Sequence, residues 1–290
     1  MVEFSIDKKY NNKKIHTVLL DTFNGLTSSL VFKALKQKDI KVNNKRINDN
    51  ISVFTGDIIS VYISDSHLYK TVNFDIVYED ENIIILNKPK DIEVINNSHN
   101  CITYLLQQKY TNLEAEFPYP CHRLDRNTSG LIIFAKNQTS LEILNSKFSA
   151  KEIKKIYKCT VIGILDKKEA VLEDYLFKDS KKAIVYISSS PKKGYQKIIT
   201  SYKVLHEDLD NNLSTLEVEL HTGRTHQIRA HLAFIGHPIL GDGKYGNNTI
   251  NKKLKKKTQE LCAYKICFNF KTDSGILNYL KNKSFEIKRS

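Results

Sequence analysis

PCHRLDRNTSGLIIFAK, residues 120–136, reads as a turn that feeds a strand. Asn127, Thr128, Ser129 and Gly130 are turn formers, with short polar side chains that bond nearby backbone and a final residue without a Cβ. Leu131 to Ala135 is continuously apolar, as a strand covered on both faces must be. Working outward, FDIVYED (74–80) and NIIILNKPK (82–90) predict two further strands, the second buried and ended by Lys88-Pro89. IYKCTVIG (156–163), AIVYISSS (183–190), IITSYKVLHE (198–207), STLEVELHTG (214–223) and LCAYKICFNF (261–270) have the period-two character of strands. Helical patterns occupy 101–110, 140–155 and 225–236, the last closed by Gly236 and Pro238. Strands follow one another by hairpin-like links instead of alternating with helices. The expected fold class is α+β, a mixed, mainly antiparallel sheet flanked by helices.

A smaller module precedes it. LTSSLVFKALKQKD (26–39) predicts an amphipathic helix capped at Thr27 or Ser28, with Lys33, Lys36 and Lys38 on its polar side. IKVNNKRI (40–47) is a hairpin turning at Asn43-Asn44, and TGDIISVYI (55–63) is a turn and strand. SDSHLYKTVNFD (64–75) is polar and lacks periodicity. The expected organisation is a module at 1–64, a linker at 65–74 and a larger domain at 75–290.

The chain has 290 residues, long enough for two domains, and 41% hydrophobic and 27% charged residues, the balance of a globular protein. Lys and Arg number 45 against 32 Asp and Glu, a formal charge of +13. Such a surplus favours a polyanion, although crowding with Lys, Asn and Ile would also follow from an AT-rich genome. Five scattered cysteines suggest no disulfide framework. MVEFSIDKKYNNKK at the start carries no apolar run, and no stretch approaches the ~18 apolar residues of a membrane helix. A cytoplasmic, soluble monomer is expected.

Three stretches could carry chemistry. Asp125 sits between Arg123 and Arg126 on a loop at the sheet edge, where a carboxylate suits a salt bridge and equally a nucleophile that must keep its charge. HTGRTHQIRAHL (221–232) places Arg224, His226, Arg229 and His231 around a helix start, an anion-binding pattern. His226 and His231 are five apart, which does not fit a helical zinc site, and no metal is expected. Tyr157, after the basic run EIKK, is core or rim, or a face for a base to stack on.

HRLDRNTSGL, KKIYKC and HTGRTHQIRAHLAFIGHPILGD, in this order and spacing, resemble the RluA-type pseudouridine synthases, with weaker likeness in YEDENIIILNKP and LCAYKICF. The resemblance runs from about residue 75 to 270. SSLVFKALKQKDIKVNNKRI and TGDIISVYI resemble the α-L RNA-binding motif that often precedes that domain, with Lys38-Asp39 where a glycine is common. The resemblance implies isomerisation of uridine to pseudouridine in structured RNA, ribosomal large-subunit RNA or tRNA, without cofactor or metal. It implies Asp125 as nucleophile toward the ribose or the uracil ring, Arg229 as its partner, and Tyr157 as the residue stacked on the base. Arg123 would fill the gap left by the flipped uridine. His122, Arg126, Thr128, Arg224, His226 and Gln227 would bind substrate. Lys33, Lys36, Lys38, Lys41, Lys45 and Arg46 would bind RNA in the first module. Two rivals stand beside this reading: a non-catalytic RNA-binding or ribosome-assembly protein on the same fold, and a metal-dependent hydrolase built on the histidines.

Overall fold

The computed structural model describes residues 1–23, 25–69, 73–96, 101–114 and 116–287; positions 70–72 of the expected linker lie outside them. The chain divides into two units, Met1–Asn73 with Ile95–Lys109, and Phe74–Val94 with Tyr110–Ser290.

The first unit contains β1 (Val2–Ser5), β2 (Lys13–Lys14), α1 (Ile15–Thr22), α2 (Ser28–Lys36), β3 (Ile40–Val42), β4 (Lys45–Ile47), β5 (Ser52–Val53), β6 (Ile58–Val61), α3 (Asp65–Leu68) and α4 (Ile102–Lys109). Thr27 caps α2 by accepting the Leu30 N–H at 3.3 Å. Lys38, with φ of 58°, ends it: its N–H bonds the Leu35 carbonyl and the Asp39 N–H bonds the Ala34 carbonyl. A left-handed residue at that position is what a helix C-terminus asks of the chain, and glycine meets it with least strain. Asn43 and Asn44 both have positive φ, the backbone of the tight turn expected there. Val18 and Leu19 of α1, Val31 and Leu35 of α2 and Ile59 and Val61 of β6 form one core over the sheet β1-β6-β3-β4. The helix α1 was not expected: its buried residues Ile15, Val18, Leu19 and Thr22 follow helical spacing, but over eight residues, two turns, which is too short a run to stand out.

The second unit contains β7 (Asp75–Glu79), β8 (Ile83–Lys88), β9 (Tyr119–Pro120), β10 (Ser129–Ala135), α5 (Gln138–Ser149), β11 (Ile153–Ile162), β12 (Glu169–Asp179), β13 (Ile184–Ser188), β14 (Gln196–Asp208), β15 (Leu213–Leu220), α6 (Gln227–Phe234), α7 (Asn248–Lys253), β16 (Leu261–Phe268) and β17 (Ser284–Glu286). They form an 11-stranded sheet with the path β13-β12-β14-β15-β11-β16-β10-β8-β7. Every pairing is antiparallel except β10 with β16, where Ser129 faces Cys262 and Gly130 faces Ala263. Gly130 has φ of 117°, and a Cβ there would lie 2.3 Å from the Ala263 carbonyl oxygen. Only glycine lets the 120–136 loop splice into the sheet at that point. Ile83, Ile85, Leu131 and Ile133 pack with Ile266 and Phe268 into the core.

Two expectations are corrected. The helix placed at 140–155 stops at Ser149, because Lys151 turns with φ of 57° and Ile153–Lys155 joins β11. β12 was missed: only Leu176 of its 11 residues is buried, and Ala170, Val171 and Leu172 run together without alternation, so no buried face marks it in sequence.

Candidate active site

Three elements of the second unit converge on a cavity of about 280 Å³. The loop before β10 supplies His122, Arg123, Asp125 and Thr128; β11 supplies Lys155 and Tyr157; the turn after β15 with α6 supplies Arg224, His226, Gln227 and Arg229. The β11–β16 register shifts between Ile156 and Tyr157, with Tyr264 as the extra residue. Such a bulge re-aims neighbouring side chains.

Asp125 and Arg229, 104 residues apart, meet here: Arg229 Nη1 donates to Asp125 Oδ2 at 2.8 Å. The rest of the guanidinium is held from behind. Arg229 Nε and Nη2 donate to Asp242 Oδ2 and Oδ1 at 2.7 and 3.0 Å, a two-pronged grip. Asp242 Oδ1 also accepts the N–H groups of Lys244 and Tyr245 at 2.8 and 3.1 Å. Asp242 is only 1% exposed and Arg229 8%, so both charges are desolvated and survive by pairing. Burial pushes the Asp242 carboxyl up, but the Arg229 bonds and charge and the two backbone donors together bring it below its ordinary value. Burial likewise opposes the Arg229 charge, and the bonds to Asp242 and then Asp125 outweigh it, raising its pKa. Asp125 is the more open carboxylate, its side chain 23% exposed. One arginine thus spends two bonds on a buried anchor and presents one to the cavity.

Tyr157 is 5% exposed. Burial first, and the Asp125 charge second, push its phenol well above the ordinary range, so it stays protonated at working pH. His226 precedes α6 with φ of 54°, a left-handed turn that a bulky residue takes only at some strain. Its Nδ1 bonds the Tyr245 hydroxyl at 2.8 Å, and that hydroxyl oxygen accepts the Val185 N–H at 2.9 Å. Burial lowers the His226 pKa, and its Nε2 lies 3.9 Å from Asp125 Oδ2.

The other expected residues separate. Arg123 and Arg224 are exposed and line the cavity. His122 also lines it; its Nε2 accepts the Ile133 N–H at 3.2 Å, and burial drives its pKa well down. Thr128 is 2% exposed and its hydroxyl accepts from Gln259 Nε2 at 2.7 Å. Gln227, also 2% exposed, has both amide ends occupied: Nε2 donates to Ile199 O and Thr200 Oγ1, and Oε1 accepts from Thr222 Oγ1 and the Arg224 N–H. These bonds tie the turn to β14. Arg126 is not among the lining residues, and pairs on the surface with Asp91 at 2.9 Å. Lys33, Lys36, Lys38, Lys45 and Arg46 are exposed on the first unit, where Lys41 and Arg46 lie over the Tyr62 ring. The helix at 225–236 is shorter than expected, Gln227–Phe234, so Arg224 and His226 lie before it and not in its first turn. His231 is fully buried between Thr200 and Asp174. Among the described residues, no three His, Cys, Asp or Glu side chains gather as a metal site requires.

Sequence reasoning missed Asp242, Tyr245, Lys88 and Lys155. Lys88 is fully buried and donates to the carbonyls of Pro89, Ile92 and Arg126 at 2.8, 2.8 and 2.9 Å, fixing the loop that carries Asp125. A lysine closing the apolar run IIILNK was its available signal. Asp242 closes the motif GHPILGD, but nothing in its spacing points at Arg229.

A family model described as RNA pseudouridylate synthase matches residues 82–234. An uncharacterized RNA pseudouridine synthase of Mycoplasma capricolum is 33% identical, over 98% of this chain and 96% of its own length. The ribosomal large subunit pseudouridine synthase C of Rickettsia bellii is 34% identical, over 78% of this chain and 80% of its own. Among solved structures, human RNA pseudouridylate synthase domain containing 1 has a TM-score of 0.59 at 22% identity, covering 70% of this chain and 82% of that one, a likeness of fold. No helix among the described residues is long and apolar enough to cross a membrane. With a family model spanning more than half its length and a relative alike from end to end, this chain belongs to the RNA pseudouridine synthases, enzymes that isomerise uridine to pseudouridine within RNA.

Proposed function

We propose that this enzyme modifies ribosomal large-subunit RNA, with Asp125 as the nucleophile. The observation that carries the reading is the single bond from Arg229 to Asp125 in a cavity beside the buried Tyr157. A carboxylate so placed is aimed without being consumed by its partner, which suits covalent catalysis. In the proposed course the uridine leaves the RNA stack and enters the cavity, with Arg123 filling the gap and Tyr157 stacking on the base. Asp125 attacks the ribose C1′ or the uracil ring, the bond from C1′ to N1 breaks, and the uracil turns; the bond to Asp125 breaks in turn and frees the carboxylate as the new glycosidic bond is made. A bond forms from C1′ to C5, the C5 hydrogen leaves as a proton to solvent, and N1 gains one. Relatives named for the ribosomal large subunit support that RNA as substrate.

The first unit serves as an RNA-binding module. Its exposed lysines and the Lys41–Tyr62–Arg46 cluster suit phosphate and base contacts. The enzyme works in the cytoplasm as a monomer and needs no metal.

The test is tritium release from unmodified large-subunit RNA labelled at uridine C5. The wild type releases tritium to water in EDTA. Asp125→Asn binds the RNA but releases none, because the substitution removes the nucleophile and little volume. Turnover by Asp125→Asn would overturn the assignment of the nucleophile.

A further inference from the structure

Lys155 is a cation of the catalytic cavity that the chemistry above leaves unused. It stands two residues before Tyr157 on β11, and a neighbouring β-strand residue pair of this spacing shares one face. Its ammonium lies 5.0 Å from the centre of the Phe148 ring. Among the described residues it has neither a carboxylate partner nor a hydrogen bond. Burial alone pulls it down, to about 8. A desolvated, unpaired cation is costly to keep, which points to an anion supplied from outside.

The surroundings say which anion. Lys155, Leu220 and Gly223 line both the catalytic cavity and a second one of about 150 Å³ beside it. Gly223 has no side chain to divide the two, and a Cβ there would reach only to 3.9 Å from Lys155 Nζ. Lys151 and Lys154 line the second cavity. Lys154 is tied to Glu219 at 2.8 Å, and Lys151, exposed, has no ion-pair partner among the described residues. One cation thus stands at the passage between a cavity of base size and an outer groove with a second cation.

We propose that this passage is the track of the RNA backbone out of the active site, in which Lys155 grips the phosphate next to the flipped uridine and the following nucleotide lies in the groove beside Lys151. The proposal rests on the reading of the cavity as the uridine site. A compact ammonium beside a mobile backbone suits a phosphodiester, which offers charge without demanding two-pronged geometry.

The test measures kcat/KM for tritium release from unmodified large-subunit RNA labelled at uridine C5, as a function of salt, for wild type, Lys155→Met and Lys155→Arg. Lys155→Met is expected to lose roughly tenfold in kcat/KM. The slope of its logarithm against log salt becomes shallower by about 0.7 to 0.9, the loss of one phosphate contact. Lys155→Arg keeps the wild-type slope. An active wild type with an unaltered slope in Lys155→Met would overturn the track and leave the uridine site standing. So would a loss in Lys155→Arg as large as in Lys155→Met, since packing and not charge would then be at stake. A wild type that binds this RNA and releases no tritium would overturn the uridine site itself.

Discussion

Asp242→Asn tests whether the arginine beside Asp125 must be anchored to act. Asp242 receives four donors, two from Arg229 and the N–H groups of Lys244 and Tyr245. Asparagine keeps one oxygen, which the two backbone donors already require. Its NH₂ then faces Arg229 Nε, donor against donor. The Nε bond is lost, and the Nη2 bond to Oδ1 is left on a neutral amide oxygen, in a site where Asp242 is 1% exposed. Removing one member of such a pair costs several kcal/mol when the partner is left alone, but Asp125 still compensates Arg229 here. The net loss should be about 3 kcal/mol, and a Tm lower by roughly 6–12 °C in a chain of this size. The catalytic effect follows from geometry. A guanidinium freed from its anchor can turn both prongs onto Asp125, pulling the carboxylate out of line and satisfying it too well. A misplacement of ~1 Å costs on the order of 100-fold, so kcat for tritium release should fall by about that factor while KM changes little. Single-turnover release at saturating enzyme, with a thermal melt of the same preparation, measures both. A kcat within about threefold of wild type, or a raised KM with unchanged kcat, would refute the anchoring argument.

Two further outcomes concern the frame of the second unit. Glu152 is held by Lys147 at 2.8 Å with both side chains buried, and the Lys147 bond takes its pKa from 4.5 down to about 2. A carboxylate lowered on folding stabilises above its unfolded pKa and loses that contribution as pH falls through the folded one, so urea midpoints should drop between pH 4.5 and 2. Glu152→Gln should flatten that fall, and an identical acid profile would remove the pair from the account. Gly130→Ala should not yield a stable protein, because its Cβ would sit 2.3 Å from Ala263 O and 2.5 Å from Ala263 N, both backbone atoms that no side-chain motion relieves. A soluble Gly130→Ala with Tm within about 5 °C of wild type would contradict the close splice of β10 and β16.

The fold was legible where one physical pattern dominated. The continuous apolar runs at 83–86 and 131–135 could only be buried strands, and both are, with Ile83 to Leu86 and Leu131 to Ala135 fully enclosed. The Asn43-Asn44 turn and the Thr27 cap are local chemistry, and local chemistry survives in sequence. β12 failed the same test for a physical reason. Its strand is stabilised by pairing on both sides, with β13 and β14, and not by burying a face, so its side chains carry no period to read. The overextended helix at 140–155 failed because a left-handed lysine, which no propensity announces, ends it.

The site divides along the same line. Residues expected to meet the substrate are recognisable because the chemistry constrains their type: a carboxylate, an aromatic face, cations for phosphate. Asp125, Tyr157, Arg229, Arg123 and Arg224 do line one cavity. Residues that hold those residues are constrained only by where the chain happens to pass. Asp242 reaches Arg229 across 13 positions, Tyr245 reaches His226 across 19, and Lys88 reaches the Arg126 carbonyl across 38. No spacing rule links such pairs, since each depends on loops of free length between fixed strands. Gln227 and Thr128 show the converse. They sit within the recognisable motifs, yet their polar groups are spent on Thr200, Thr222 and Gln259. A motif therefore marks a region of the fold that must keep its geometry, and only some of its members turn their polar groups to the cavity. Lys155 is the residue for which this distinction matters most, because it lies in the motif, faces the cavity and has no hydrogen-bond or ion-pair partner among the described residues to explain it.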